Sequence, residues 1–225
     1  ELLYKQGLEL LSQCVSEQDS SGNQYRPIVI SNLGNIFEQQ GKLDAAVESY
    51  QQALELKPDY AETYYNLGNV LQKQGKLDAA IESYQQALNI KPEIAQAHNN
   101  LGTVLQEQGK LEAAIESYKQ ALNIQPNYAQ AHYNLGEIFL KQGKLEAARE
   151  SYQQALNIKP DSAQAYHNLG NVLKLQGKLE AAIKSYQQAI NLNPNSTEAH
   201  HNLGNTLYEQ GKLEAAIESY HQALR

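Results

Sequence analysis

The stretch Asn66–Leu88, NLGNVLQKQGKLDAAIESYQQAL, decides how this chain folds. Its first half places Leu67, Val70 and Leu71 at helical steps, and its second half does the same with Leu77, Ala80, Ile81, Tyr84 and Ala87. Gly75 lies between the two patterns, where a left-handed residue ends a helix, and Lys76 follows near the negative end of the helix dipole. Asp78 favours the start of the second helix, which must stop before Pro92. The stretch therefore predicts two helices joined by a tight turn.

The same pattern fills most of the chain. Asn-Leu-Gly begins at Asn32, Asn66, Asn100, Asn134, Asn168 and Asn202, each time 34 residues further on. Gly-Lys-Leu recurs at Gly41, Gly75, Gly109, Gly143, Gly177 and Gly211, and prolines close five units at Pro58, Pro92, Pro126, Pro160 and Pro194. With Pro27 as position one, six repeats occupy 27–60, 61–94, 95–128, 129–162, 163–196 and 197–225. After each proline, Asp59, Glu93, Asn127, Asp161 or Asn195 is placed to cap or favour the next helix. Gly34 and its equivalents are expected to face Ala46 and its equivalents. The tyrosines Tyr50, Tyr84, Tyr118, Tyr152, Tyr186 and Tyr220 are expected to fill the space between neighbouring hairpins. A lone hairpin buries too little apolar surface to stand alone, whereas six stacked ones share a continuous core. The expected fold is an all-α solenoid of antiparallel helix pairs.

Leu at position seven, Gly at eight, Ala at twenty, an aromatic at twenty-four, Ala at twenty-seven and Pro at thirty-two resemble the tetratricopeptide repeat (TPR) family over residues 27–225. Two positions depart from its pattern. Position four, often Trp in the family, holds Ile30, Tyr64, His98, His132, Tyr166 and His200, and Tyr replaces the more usual Phe at twenty-four. The resemblance implies a right-handed superhelix whose first helices line a concave groove. Residues 1–26 fit less well: ELLYKQGLELLSQC reads as a helix and SEQDSSGNQ as a polar loop, together a degenerate or truncated upstream repeat.

Composition narrows the function. The formal charge is −7 with acids and bases interspersed, which gives no electrostatic reason to seek nucleic acid or anionic membrane. No apolar run approaches the roughly 20 residues that span a bilayer, no signal peptide is visible, and Cys14 is alone, a pattern that fits a reducing, cytoplasmic setting. No nucleophile–base pair, phosphate loop or catalytic carboxylate pair emerges, so neither enzymatic activity nor a cofactor is expected. His98, His132 and His200 sit at the packing position, and His167 and His201 are too far apart in the repeat for joint ligation, so no metal site is expected. Ile217 and Leu224 would lie exposed at the last helix, which raises end-to-end self-association as a partner mode.

One feature is left over from packing. Positions two, five, six, nine, twelve and thirteen of each first helix cluster on the arc opposite the core. The recurring Asn stands at position six, and position nine repeats the amide at Asn35, Asn69, Asn171 and Asn205, with Thr103 and Glu137 as exceptions. Asn is a mediocre helix former, but its acceptor and two donors can meet peptide N–H and C=O whatever the side chain. Tyr65 and Tyr133 add apolar surface beside these rows, and acidic groove residues outnumber lysines, favouring a neutral or mildly basic segment. The candidate peptide-binding residues are thus the amides at positions six and nine, Thr103, Tyr65 and Tyr133.

A similar asparagine ladder lines the TPR superhelix of protein O-linked N-acetylglucosamine transferases, which the repeat sequence resembles most closely. That resemblance implies a ladder that holds peptide backbone. The carboxylate-clamp pattern of other TPR proteins needs cations at positions two, five and six. Here position five holds Ser31, Tyr65, Asn99, Tyr133, His167 and His201, and position two holds no cation. The leading reading is a non-catalytic scaffold for an extended peptide or disordered segment. The alternatives are the substrate-recruiting portion of a larger enzyme, such as a glycosyltransferase, and an assembly element.

Overall fold

A computed structural model describes the backbone from Ser20 and the side chains from Tyr25 to Arg225. The helix expected over residues 1–14, with Cys14, lies outside the described residues. Among the described residues there are twelve helices and no strands. They are α1 (Ser20–Gln39), α2 (Leu43–Leu56), α3 (Ala61–Lys73), α4 (Leu77–Ile90), α5 (Ala95–Glu107), α6 (Leu111–Ile124), α7 (Ala129–Lys141), α8 (Leu145–Ile158), α9 (Ala163–Leu175), α10 (Leu179–Leu192), α11 (Thr197–Glu209) and α12 (Leu213–Ala223). The chain forms two compact units divided after Gln108.

Both units follow one packing rule. In the first, α1 packs on α2 and α3 on α4, while α2 and α4 also pack on the first helices that follow them, α3 and α5. In the second, α7 packs on α8, α9 on α10 and α11 on α12, and α6, α8 and α10 lie against α7, α9 and α11. Successive first helices also touch: α1 with α3, α3 with α5, α7 with α9 and α9 with α11. The fold is an all-α solenoid of helix pairs, as the repeat predicts. Its first helix differs from the expectation. It begins at Ser20, so the end of the polar stretch read as loop is helical, and Pro27 lies inside α1, where it forgoes one backbone hydrogen bond.

The turn within each hairpin follows from its glycine. Gly75 adopts φ +73°, its N–H donates to Gln72 O at 2.9 Å, and the Lys76 N–H reaches back to Leu71 O at 2.9 Å. These two bonds satisfy carbonyls that the ending helix leaves orphaned. The caps between hairpins depart from expectation. The residue after each proline lies one place too early, and the N-cap positions fall on Tyr60, Ile94, Tyr128, Ser162 and Ser196. Only the two serines cap with their side chains, accepting from Ala165 N at 3.2 Å and Ala199 N at 3.3 Å.

The core is built on a tyrosine–glycine contact. Tyr50, Tyr84, Tyr118, Tyr152 and Tyr186 are wholly buried. The rings of Tyr50, Tyr84, Tyr152, Tyr186 and Tyr220 lie over the glycines of their own hairpins. A Cβ on Gly68 would sit 2.6 Å from Tyr84 Cε1, and one on Gly170 would sit 2.6 Å from Tyr186 Cε1. The tyrosine therefore packs within its own hairpin and also meets the next one, as Tyr84 does at Asn100 and Tyr152 at Asn168. The position-four histidines have a use beyond packing: Nε2 of His98, His132 and His200 donates to the carbonyl of Pro92, Pro126 and Pro194 at 2.9, 3.1 and 2.9 Å. That bond ties each first helix to the turn before it.

Candidate functional site

The two amide rows are joined to each other. Asn35 Oδ1 accepts from the Tyr50 hydroxyl at 2.8 Å and from Asn66 Nδ2 at 3.0 Å. Asn69 Oδ1 accepts from Tyr84 at 2.8 Å and from Asn100 Nδ2 at 2.9 Å. In the second unit Asn171 Oδ1 accepts from Tyr186 at 2.8 Å and from Asn202 Nδ2 at 3.0 Å, and Asn205 Oδ1 accepts from Tyr220 at 2.8 Å. A position-nine amide thus receives the buried tyrosine of its own hairpin and the position-six amide of the next. Burial pushes the phenols of Tyr50, Tyr84 and Tyr186 far above the ordinary tyrosine range, which keeps them as neutral donors.

These bonds decide what each row has left. Position nine spends its acceptor twice, and the amino groups of Asn35, Asn69 and Asn171 have no protein partner among the described residues. Position six spends a donor, and the Oδ1 atoms of Asn66, Asn168 and Asn202 have no protein partner among the described residues. One row offers donors and the other acceptors. Asn32 is exposed at the start of the position-six row, and Asn66, Asn100, Asn168 and Asn202 are half-buried. Asn35, Glu38, Gln39, Glu62, Asn66 and Lys73 line an open depression of about 450 Å³ in the first unit.

Position nine departs from Asn at Thr103 and Glu137. Thr103 turns its hydroxyl back to Asn99 O at 3.1 Å. Asn134 is buried and its Oδ1 is covered by Gln130 Nε2 at 2.8 Å, so it does not line the surface as expected. Glu137 accepts instead from Tyr133 at 3.2 Å, and the buried Tyr152 hydroxyl has no hydrogen-bond partner among the described residues. The nearby Asn168 carboxamide eases the upward shift that burial imposes on the Tyr152 phenol, but it donates its hydrogen bond to Tyr133 at 3.0 Å.

The rings at position five also pack against the wall of the solenoid. Tyr65, Tyr133, His167 and His201 lean on Tyr84, Tyr152, Tyr186 and Tyr220 of their own hairpins, with ring centroids 5.6–6.2 Å apart. The outer atoms of three of them meet the next position-six amide, which donates to Tyr65 at 3.4 Å, to Tyr133 at 3.0 Å and to His167 Nε2 at 3.4 Å. The His167 contact requires a neutral ring with the proton on Nδ1. Burial holds the His167 pKa below its usual value, against a smaller opposing effect of Glu198. The unfolded chain therefore takes up this proton first as pH falls, and the stability carried by neutral His167 is present above about pH 6.5 and lost below it. His167→Tyr, which copies Tyr65 and Tyr133, is expected to flatten the fall in urea midpoint between neutral and mildly acidic pH. A variant whose profile stays parallel to that of the native protein contradicts this role.

Two signals were missed in the sequence reading. The hydroxyl that distinguishes Tyr from the family's Phe at position twenty-four is what anchors position nine. Positions twelve and thirteen pair across hairpins: Glu38 with Lys73 at 2.8 Å, Gln72 with Glu107 at 3.1 Å and Lys174 with Glu209 at 2.8 Å. These exposed pairs add little energy individually. Two of them join opposite charges, which leaves Glu62, Glu107, Glu137 and Glu198 as groove acids without a cationic partner among the described residues.

Among the described residues no helix is long and apolar enough to cross a membrane, and no group of three metal-ligating side chains comes together. Family profiles described as "TPR repeat" match residues 34–75, 71–109, 104–143, 136–177 and 170–211, and one described as "Tetratricopeptide repeat" matches 199–225. No curated protein matches. Among solved structures, the chain is similar to MamA at 27% identity, covering 70% of this chain and 92% of that one with a TM-score of 0.67. It is similar in fold to YrrB, described as a TPR protein with an unusual peptide-binding site, at 24% identity, 79% and 92% coverage and a TM-score of 0.70. It is likewise similar in fold to PilF of Pseudomonas aeruginosa at 21% identity, 88% and 90% coverage and a TM-score of 0.77.

Proposed function

Since the chain belongs to the tetratricopeptide-repeat family, we propose that it is a non-catalytic scaffold holding an extended peptide or disordered segment along its amide rows. The observation that carries this reading is the division of labour between the rows. The inter-row bonds spend the position-nine acceptors and one position-six donor, which leaves amino groups on Asn35, Asn69 and Asn171 and oxygens on Asn66, Asn168 and Asn202. A peptide backbone presents the complementary N–H and C=O in alternation. First helices of adjacent repeats lie roughly 10 Å apart, which an extended chain covers in about three residues. Each such bond is worth about 1 kcal/mol net, so the row sustains affinities in the micromolar range at best. The same rows carry the likeness to the transferase ladder, and a recruiting portion of a larger enzyme would use them in the same way.

The test replaces amides that still have an unspent oxygen, which excludes Asn134. Asn66→Ala, Asn168→Ala and Asn202→Ala together are expected to weaken binding of an uncharged extended peptide by about tenfold or more. The far-ultraviolet circular dichroism should remain helical. Undiminished peptide affinity in the folded triple variant refutes the proposal.

A second reading rests on α12 and the residue after it, where Leu213, Ile217 and Leu224 are 49%, 55% and 85% exposed. Association through that apolar face would show as a concentration-dependent sedimentation coefficient, abolished by Ile217→Glu.

A further inference from the structure

Two successive clefts in the second unit carry opposite chemistry. The first, about 290 Å³, opens between the starts of α7 and α9, with Tyr133 and Ala155 in its lining and Gln130, Gln164 and Lys159 around them. The second, about 320 Å³, uses the equivalent repeat positions between the starts of α9 and α11, with His167, Asn168, Asn193 and Glu198 in its lining. Each contains one formally charged side chain, Lys159 in the first and Glu198 in the second. Neither charge is used in an ion pair among the described residues. The equivalent Lys57 is occupied by the ring of Tyr60, 4.9 Å from its centroid, whereas Ser162 replaces that ring beside Lys159 and turns to cap α9.

The ladder bonds extend the contrast beyond the charges. In the first cleft the Tyr133 hydroxyl is occupied by Asn168 and Glu137 and the Gln130 amino group by Asn134, which leaves Lys159 as its cationic donor. In the second, Asn168 donates to Tyr133, and its carboxamide lines the same cleft as the Glu198 carboxylate. A lysine ammonium outside any ion pair suits a carboxylate, and a carboxylate outside any ion pair suits an ammonium or guanidinium. We infer that these clefts select an extended segment bearing an acidic side chain for the Lys159 cleft and a basic one for the Glu198 cleft, about three residues apart. This rests on the peptide-scaffold reading and adds the partner's charge pattern to it.

The test uses the full chain and short Ala/Ser/Thr peptides carrying Glu and Arg three positions apart in either order, with Gln/Gln, Glu/Glu and Arg/Arg controls, read by fluorescence anisotropy. One order of the mixed pair is expected to bind about fivefold more tightly than Gln/Gln and more tightly than either like-charged peptide, an advantage that shrinks as salt is raised. The Lys159→Glu/Glu198→Lys exchange, at two exposed side chains, is expected to transfer the preference to the opposite order. Equal binding of mixed and Gln/Gln peptides, with no effect of the exchange, overturns the inference while leaving the scaffold reading intact. Failure of every peptide to bind overturns both.

Discussion

Gly170→Ala is expected to lower the stability of the protein by about 2–3 kcal/mol, although alanine is ordinarily the better helix residue by about 1 kcal/mol. The added methyl would lie 2.6 Å from Cε1 and 2.7 Å from Cδ1 of Tyr186, a fully buried ring held at its far end by Asn171. Neither partner can withdraw without parting α9 from α10 or breaking the hydroxyl bond. The measurement is the urea midpoint of Gly170→Ala against Gly177→Asn. Gly177 also carries a special conformation, φ +72°, but a Cβ there meets nothing within 4 Å, and Asn tolerates that region. A Gly170→Ala midpoint at or above that of the native protein would show that the tyrosine does not need the glycine.

The second large effect is electrostatic rather than steric. Asn171→Ala removes the acceptor shared by Tyr186 and Asn202 and leaves a buried hydroxyl without a partner, which is expected to cost about 2–3 kcal/mol. The fourth repeat already shows that condition, because Glu137 stands where Asn would receive Tyr152. Glu137→Asn is therefore expected to raise stability by about 1 kcal/mol by giving the Tyr152 hydroxyl an acceptor. Opposite shifts of the denaturation midpoint at these equivalent positions are the outcome that supports the shared-acceptor account. A loss at both positions contradicts it.

The division between what the chain announced and what it withheld has a physical basis. Helix pairs, glycine turns and hairpin boundaries follow from local steric rules that act within a few residues, so periodicity and Gly75-type signals were enough to place them. The amide rows were also found, because their spacing leaves them off the apolar stripe. What spacing could not show was the sharing of hydrogen bonds over 31 to 35 residues, as between Asn66 and Asn35 or Asn168 and Tyr133. Nor could it show that Gln130 would fold over Asn134, since a flexible side chain at position two has the same helical register whether it reaches solvent or a neighbour. Tyr65 and Tyr133 were placed on the correct arc, but their rings serve the wall as much as any partner.

The open glycine turns have a practical consequence. At Gly41, Gly75, Gly109, Gly143, Gly177 and Gly211 no atom approaches within 4 Å of a built Cβ. Such exposed turns are natural places for inserted loops, fluorophores or protease sites, since added chain there displaces nothing that is packed. Within each unit the repeat thus supplies an attachment point at the glycine end of every hairpin, where sequence can grow without disturbing either the tyrosine core or the amide rows.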